Sequence, residues 1–191
     1  RRPSAFSVGK KLRSAQWNHP DCLTANPCTT RSTATMSSMD SRDVQIALIG
    51  YGLAGSVFHA PIISTTPGMQ LAAIVTGNQD RVDLARRMHP GADVFATPEQ
   101  LWDKGGVDCV VIATPNITHA PLALAAISHG VAVVVDKPLA ISSEQADQVI
   151  KAADDAGVLL TVFQNRRWDG DFLTVKSLLE SGALGRVARF E

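Results

Sequence analysis

From residue 44 onward, short and nearly continuous apolar runs alternate with longer segments whose apolar residues recur at helical spacing. This alternation predicts an α/β fold, a doubly wound parallel sheet with helices on both faces, because strands covered on both faces are apolar throughout. Strands are predicted over 44–50, 71–77, 93–96, 108–114, 132–136 and 159–164. Helices are predicted near 54–64, 80–89, 98–103, 118–129, 142–156 and 170–182.

Helix ends carry their own signals. Thr97 followed by Pro98 and Gln100 predicts a capping box, and Ser142 with Gln145 repeats the pattern. Gly130 and Gly157 stand where C-terminal caps belong.

The end of the sequence predicts one more strand, because residues Arg186–Glu191 alternate between polar and apolar. We therefore expect a disordered basic leader at 1–41, a dinucleotide-binding domain at 42–165, and a linker helix with the first strand of a second domain at 166–191. Because the sequence predicts no further strand to pair with residues 186–191, we expect the chain to be a fragment or a truncated form of a longer protein.

The distribution of charge and of apolar residues along the chain limits the kinds of partner that the protein is expected to bind. The chain has 18 basic and 18 acidic residues, but 1–41 contains six Arg or Lys against two Asp. This leader has the composition of a transit segment, or the true start lies at Met36 or Met39. The rest has no basic stripe and no apolar run of the ~18 residues that cross a bilayer, so neither nucleic acid nor membrane is an expected partner.

Three cysteines form neither a disulfide framework nor a metal-ligand cluster, so a reducing, cytoplasmic location and no metal are expected. Cys109 lies within an apolar run and is interpreted as a small core residue.

The first strand leads directly into the glycine loop, Gly50-Tyr51-Gly52-Leu53-Ala54-Gly55. Gly50 permits the tight turn, Gly52 lets a pyrophosphate approach the backbone, and Gly55 lets the next helix pack closely. The N–H groups at the helix start favour the phosphates. This pattern predicts a dinucleotide site.

The second strand ends at Thr76-Gly77-Asn78, where NAD-binding proteins usually place an acid for the ribose hydroxyls. No acid stands there, and Arg81 follows, which favours the 2′-phosphate of NADP. The alternative is that Asp80 serves NAD and Arg81 is simply solvated.

Two further strand ends supply polar groups. After the fourth strand, Thr114, Pro115 and Asn116 are expected near the nicotinamide, although a plain turn with a cap at Thr118 is an alternative. His119 is expected to contact the cofactor or the substrate; the alternative is that it merely faces solvent.

After the sixth strand, Gln164, Arg167 and Trp168 are expected to contact the cofactor from the second-domain side. The alternative is that they form a hinge.

The fifth strand runs into Asp136-Lys137-Pro138. A lysine at the crevice end of a buried strand loses hydration, which suits it to exchange a proton near neutral pH. Hydride removal from an alcohol needs such a group. The alternative is a structural Asp136 and Lys137 pair.

Three motifs in order, Gly50 to Gly55 with Phe58-His59-Ala60-Pro61, then Asp136-Lys137-Pro138, then Asn165-Arg166-Arg167-Trp168, resemble the Gfo/Idh/MocA oxidoreductase family. They are most similar to its NADP-dependent scyllo-inositol dehydrogenase-like branch. The resemblance covers 44–191 and implies a Rossmann domain followed by a substrate domain that usually forms a homo-oligomer.

The resemblance implies that Lys137 is catalytic and that Asp136, which replaces the family's usual glutamate, orients the lysine or the cofactor. Asp136 and Lys137 are therefore both expected at the cofactor as well. The resemblance also implies that the substrate is a polyol, sugar or inositol-like compound. NADP is the expected cofactor, with NAD possible. Two alternatives stay open: a nucleotide-binding or redox-sensing protein without turnover, and another Rossmann enzyme such as a dehydratase or epimerase.

Overall fold

The structure is a computed structural model that describes residues 42–189. Six parallel strands form one sheet in the order β3-β2-β1-β4-β5-β6. They are β1 (Val44–Ile49), β2 (Met69–Val75), β3 (Asp93–Phe95), β4 (Cys109–Ile112), β5 (Ala132–Asp136) and β6 (Leu160–Phe163). The order reverses between β1 and β4, so a crevice opens there at the carboxyl edge. The predicted doubly wound Rossmann fold is confirmed.

Helices connect successive strands: α1 (Ala60–Thr65), α2 (Gln79–Met88), α3 (Pro98–Lys104), α4 (His119–Ser128) and α5 (Ser143–Ala156). A further helix, α6 (Gly170–Glu180), follows β6. Two short 3₁₀ helices, Asn116–Thr118 and Asn165–Trp168, precede α4 and α6. No helix of residues 42–189 is both long and apolar enough to cross a membrane.

The core has two layers because alternate residues of each strand point to opposite faces. Ala47, Ile49 and Val133 belong to the layer that contains residues of α3, α4 and α5. Leu48 and Ile74 belong to the other layer, with residues of α1 and α2. Cys109 is half-buried against this second layer, and burial, with a smaller contribution from Asp108, raises the pKa of its thiol to about 11.

The predicted caps are present. Thr97 and Gln100 form a capping box, and the Ser142 side chain accepts a hydrogen bond from the Gln145 N–H. Gly157 caps α5 in the left-handed conformation, and Gly130 follows α4 with φ of 70°.

One predicted helix differs from expectation. The segment 54–64 begins as a π-helix over Ala54–His59 and becomes α-helical only in α1. Pro61 explains this change, because proline has no N–H and its ring collides with the carbonyl four residues earlier. The Ala60 N–H instead donates to the Gly55 carbonyl, five residues back, so the turn is widened.

The predicted strand at 186–191 is wrong for its described part, since residues 186–189 are not in a strand. None of the six described strands pairs with this segment, and a strand forms only where a neighbouring strand satisfies its backbone. Residues 190–191 and the predicted leader at 1–41 lie outside the described residues. The domain division at 165 stays a prediction.

Candidate functional site: a glycine-lined cleft and an adjacent lysine turn

A cleft of about 630 Å³ opens at the carboxyl ends of β1, β2 and β4. It is the crevice expected where the strand order reverses. Eight of the residues predicted to bind the cofactor line it: Gly50, Tyr51, Gly52, Thr76, Gly77, Arg81, Thr114 and Pro115. We call this hollow the glycine cleft.

The protein itself requires two glycines of the loop. Gly50 has φ of 101°, and a Cβ there would overlap the carbonyl oxygen of Ala113 in the neighbouring strand end. A Cβ on Gly55 would overlap the Gly50 carbonyl oxygen. The first helix therefore packs directly against the loop, as the sequence predicts.

Gly52 is different, because nothing in the protein excludes a side chain. A Cβ there would lie 3.7 Å from the Arg81 guanidinium, an ordinary contact, and no positive φ demands glycine. The open space beside Gly52 faces the cleft. A bare backbone at this point suits a pyrophosphate that lies against it, so the loop fits a dinucleotide.

The end of β2 has no acid facing the cleft. Thr76 is buried, and the Asn78 side chain is the N-cap of α2, accepting from the Arg81 N–H at 3.0 Å. Arg81 lines the cleft, whereas Asp80 is exposed in the first turn of α2. Asn78 is thus a helix cap, and the cation of Arg81 is the charged group at this end.

The loop after β4 turns at Pro115. The Thr118 hydroxyl lies 2.7 Å from the Thr114 hydroxyl and 2.7 Å from the Pro115 carbonyl oxygen, to which it donates. These bonds hold Thr114 and Pro115 at the cleft wall. Asn116 is exposed at the start of a 3₁₀ helix and does not line the cleft.

Asp136 ends β5, and Lys137 and Pro138 follow; we call these three residues the lysine turn. Lys137 is exposed, so the predicted loss of hydration is wrong for the described chain. The reason is its position one residue beyond the buried strand. The turn lies one strand away from β4 and does not line the glycine cleft.

His59 lies behind the lysine turn. It is 4% exposed, and its Nε2 is 3.6 Å from an Asp136 carboxylate oxygen, beyond hydrogen-bond length. In residues 42–189 this Nε2 is a buried nitrogen without a hydrogen-bond partner. Burial lowers the pKa of His59, and the negative charge of Asp136 opposes that shift. The ring also packs on Phe163, with 4.5 Å between centroids.

Other predicted residues lie elsewhere. Gln164, Arg167 and Trp168 line a separate hollow of about 440 Å³ beside β6, and Trp168 is 78% exposed. Leu53 is 76% exposed, and Ala54 and Gly55 begin the π-helix. His119 is buried between two backbone carbonyls, so the alternative that it faces solvent is wrong. Their roles toward a cofactor stay predictions.

The sequence pattern indicates no part in the site for His59, or for four apolar residues that line the cleft: Ala96, Pro98, Pro121 and Leu122. The prolines were visible as first-turn residues of helices, and such helix starts lie at the carboxyl edge of a parallel sheet. His59 belongs to the motif Phe58-His59-Ala60-Pro61, but spacing alone indicates no partner for it.

Comparison with known proteins agrees with this geometry. Residues 44–164 match the model of the Gfo/Idh/MocA oxidoreductase family, described as an NAD-binding Rossmann fold. The chain is 46% identical over 151 residues to the uncharacterized oxidoreductase YdgJ of Escherichia coli, covering 79% of this chain and 43% of that protein.

It is 35% identical over 148 residues to IolW of Bacillus subtilis, a scyllo-inositol 2-dehydrogenase (NADP⁺), covering 78% of this chain and 40% of IolW. A crystal structure of an oxidoreductase from Klebsiella pneumoniae superposes with a TM-score of 0.71 at 44% identity, over 76% of this chain and 42% of that one. The chain thus spans about two fifths of the length of the relatives it matches.

Proposed function

Because the chain belongs to the Gfo/Idh/MocA oxidoreductase family, we propose that the full-length protein is an NADP-preferring dehydrogenase of a polyol, sugar or inositol-like hydroxyl group. The observation that carries this proposal is the pairing of the glycine cleft with the lysine turn at one edge of the sheet. A dinucleotide-binding protein without turnover needs the cleft and has no use for the lysine.

The glycine cleft supplies the cofactor site. Gly52 would leave room for the pyrophosphate, while Thr114 and Pro115 would form the wall on the nicotinamide side. The bound cofactor supplies the hydride acceptor or donor. The residues of this chain hold and orient it, which raises the chance of a productive geometry.

The preference for NADP rests on charge at the end of β2. Arg81 brings a guanidinium to the cleft beside Gly52, and no carboxylate lines the cleft there. A guanidinium favours a 2′-phosphate and a carboxylate would repel it. The relative IolW is an NADP⁺-dependent dehydrogenase, which supports this preference.

The proton step is assigned to Lys137. Oxidation of an alcohol removes a hydride from carbon and a proton from oxygen, and the Nζ amine of Lys137 would accept that proton. In the reducing direction the same ammonium group would return it. Its exposed position leaves the Nζ accessible to a substrate brought by the remainder of the full-length protein.

Replacing Lys137 with Met in the full-length protein tests this assignment. We expect kcat to fall by about 10²–10⁴ because a positioned acid-base group contributes that much. Titration of NADPH followed by fluorescence should give a dissociation constant within about twofold of the wild type, since surface changes away from a ligand cost little.

Lys151→Met is the matched control, because Lys151 is an exposed lysine paired with Asp155 on α5. It should leave both kcat and NADPH affinity at wild-type values. Retained turnover in Lys137→Met would overturn the proton-transfer role, and absence of wild-type turnover on any polyol, with tight NADPH binding, would favour the non-catalytic protein.

A further inference from the structure

His119 is the first residue of α4 and one of the most deeply buried polar side chains of residues 42–189, at 1% exposure. Its Nδ1 lies 2.7 Å from the carbonyl oxygen of Pro138. Its Nε2 lies 2.9 Å from the carbonyl oxygen of Thr114. Both ring nitrogens are therefore at hydrogen-bond distance from backbone carbonyls.

The chemistry of the two partners fixes the direction of both bonds. A carbonyl oxygen only accepts, so a ring nitrogen bonds it only as a donor. Neutral imidazole donates from one nitrogen, whereas the imidazolium donates from both. The ring lies within hydrogen-bond distance of both carbonyls and fills the space between them. An unmade bond is costly in a buried place, so removing either approach should be felt by the loop that carries the carbonyl.

The two carbonyls belong to different parts of the site. Thr114 is part of the wall of the glycine cleft, and Pro138 is the last residue of the lysine turn. β4 and β5 are neighbours in the sheet, yet the backbone ladder between them ends at Ile112 and Val135. The His119 ring continues the connection beyond the last ladder pair, at the level of the loops.

We propose that His119 is a positioning residue that sets Lys137 relative to the nicotinamide wall of the cleft. Its ring lies between the Thr114 carbonyl and the Pro138 carbonyl, within hydrogen-bond distance of both, so the two loops keep one spacing. This role rests on the proposed function of Lys137, and it differs from the direct cofactor contact predicted for His119. The ring has its two nitrogens engaged by the protein and none left for a ligand.

Two substitutions remove one bond each. The amide nitrogen of asparagine takes the position of Nδ1, so His119→Asn keeps the donor to Pro138. The amide nitrogen of glutamine takes the position of Nε2, so His119→Gln keeps the donor to Thr114. The measurements in full-length protein are kcat with the polyol that is turned over and the dissociation constant of NADPH.

The expected result is a crossed pattern. In His119→Gln the lysine turn is released, so kcat should fall about tenfold to 100-fold, as small displacements of catalytic groups do. In His119→Asn the cleft wall is released, so NADPH affinity should weaken about threefold to tenfold, the effect of one lost hydrogen bond. Its kcat should stay well above that of His119→Gln.

The matched controls are His129→Asn and His129→Gln, at an exposed histidine that caps the other end of α4. Neither should change kcat or NADPH affinity. Equal changes of both quantities in the two His119 variants would mean a purely structural role and would overturn the proposal.

A further readout does not depend on turnover. Hydrogen exchange should rise around 137–141 in His119→Gln and around 114–118 in His119→Asn. If these results appear and no polyol is oxidised, the bridge stands and the proposed dehydrogenase function fails.

Discussion

The glycine cleft and the lysine turn lie at the same edge of one sheet, but backbone geometry shapes the first and side-chain contacts hold the second. The cleft is shaped by backbone: glycines at 50, 52 and 55 set how closely strands, helix and ligand can approach. The lysine turn is held by side chains from outside β5, since His59 lies behind Asp136 and His119 bonds the Pro138 carbonyl. A backbone-built site is encoded locally, while a side-chain-built one depends on the whole fold.

The strongest test of the backbone-built region is Gly55→Ala. The added Cβ would overlap the Gly50 carbonyl oxygen, so we expect the free energy of unfolding to fall by about 1–3 kcal/mol, the usual cost of overpacking. Alanine is the better helix former, which makes a net loss more informative. Urea denaturation of the full chain measures it.

Gly91→Ala is the control, because a Cβ at Gly91 meets open space and no positive φ is required there. We expect a change within about 0.5 kcal/mol. Similar losses in both variants would mean that the close approach at Gly55 is not what the fold depends on.

The next test concerns the charge of the cleft. Arg81→Ala should weaken NADPH binding about 10–100-fold, since hydrogen bonds to charged groups contribute about 1.5–3 kcal/mol. NADH affinity should change much less, because NADH has no 2′-phosphate. Arg87→Ala, at an exposed arginine in the last turn of the same helix, should alter neither. Equal losses of affinity for NADPH and NADH would contradict the proposal that Arg81 binds the 2′-phosphate.

The smallest expected effect concerns the lysine turn, and it is a change in how the free energy of unfolding depends on pH. Burial lowers the pKa of His59 in the folded chain, so the unfolded chain binds the proton more readily. Stability is therefore fully present above the unfolded pKa of about 6.5 and is lost as pH falls through the lower folded pKa. Urea denaturation between pH 5 and pH 8 should show His59→Gln losing less stability than the wild type on acidification.

Asp136→Asn sharpens this test. The Asp136 charge opposes the burial effect on His59, so its removal should lower the His59 pKa further and deepen the acid-side loss. His89, whose pKa burial also lowers, contributes equally in all three proteins and cancels in the differences. An unchanged pH profile in His59→Gln would show that its burial has no energetic consequence.

Much of the architecture was predictable because its signals are local. Strand positions followed from apolar runs, the ends of α3 and α5 from Thr97, Ser142 and Gly157, and the cleft from the glycine loop. Each of these depends on residues close together in sequence, where propensity and capping chemistry act directly.

The remaining features depend on contacts between distant residues. His59 meets Asp136 across 77 positions, and His119 meets Pro138 across 19, so no spacing rule could pair them. The alternation at 186–189 resembles a strand, yet pairing decides whether a strand forms. Asn78 is predicted at the cofactor, and the cap bond that it accepts from the Arg81 N–H became visible only in the structure.

The widened turn over Ala54–His59 also fixes the length of its segment. Its Ala60 N–H bonds the Gly55 carbonyl five residues back, a spacing that an α-helix does not use. Deleting one residue between Gly55 and His59 would remove the extra residue of this turn, and Pro61 would again press on a carbonyl four residues back. The number of residues between loop and histidine is thus as much a part of the site as their identities.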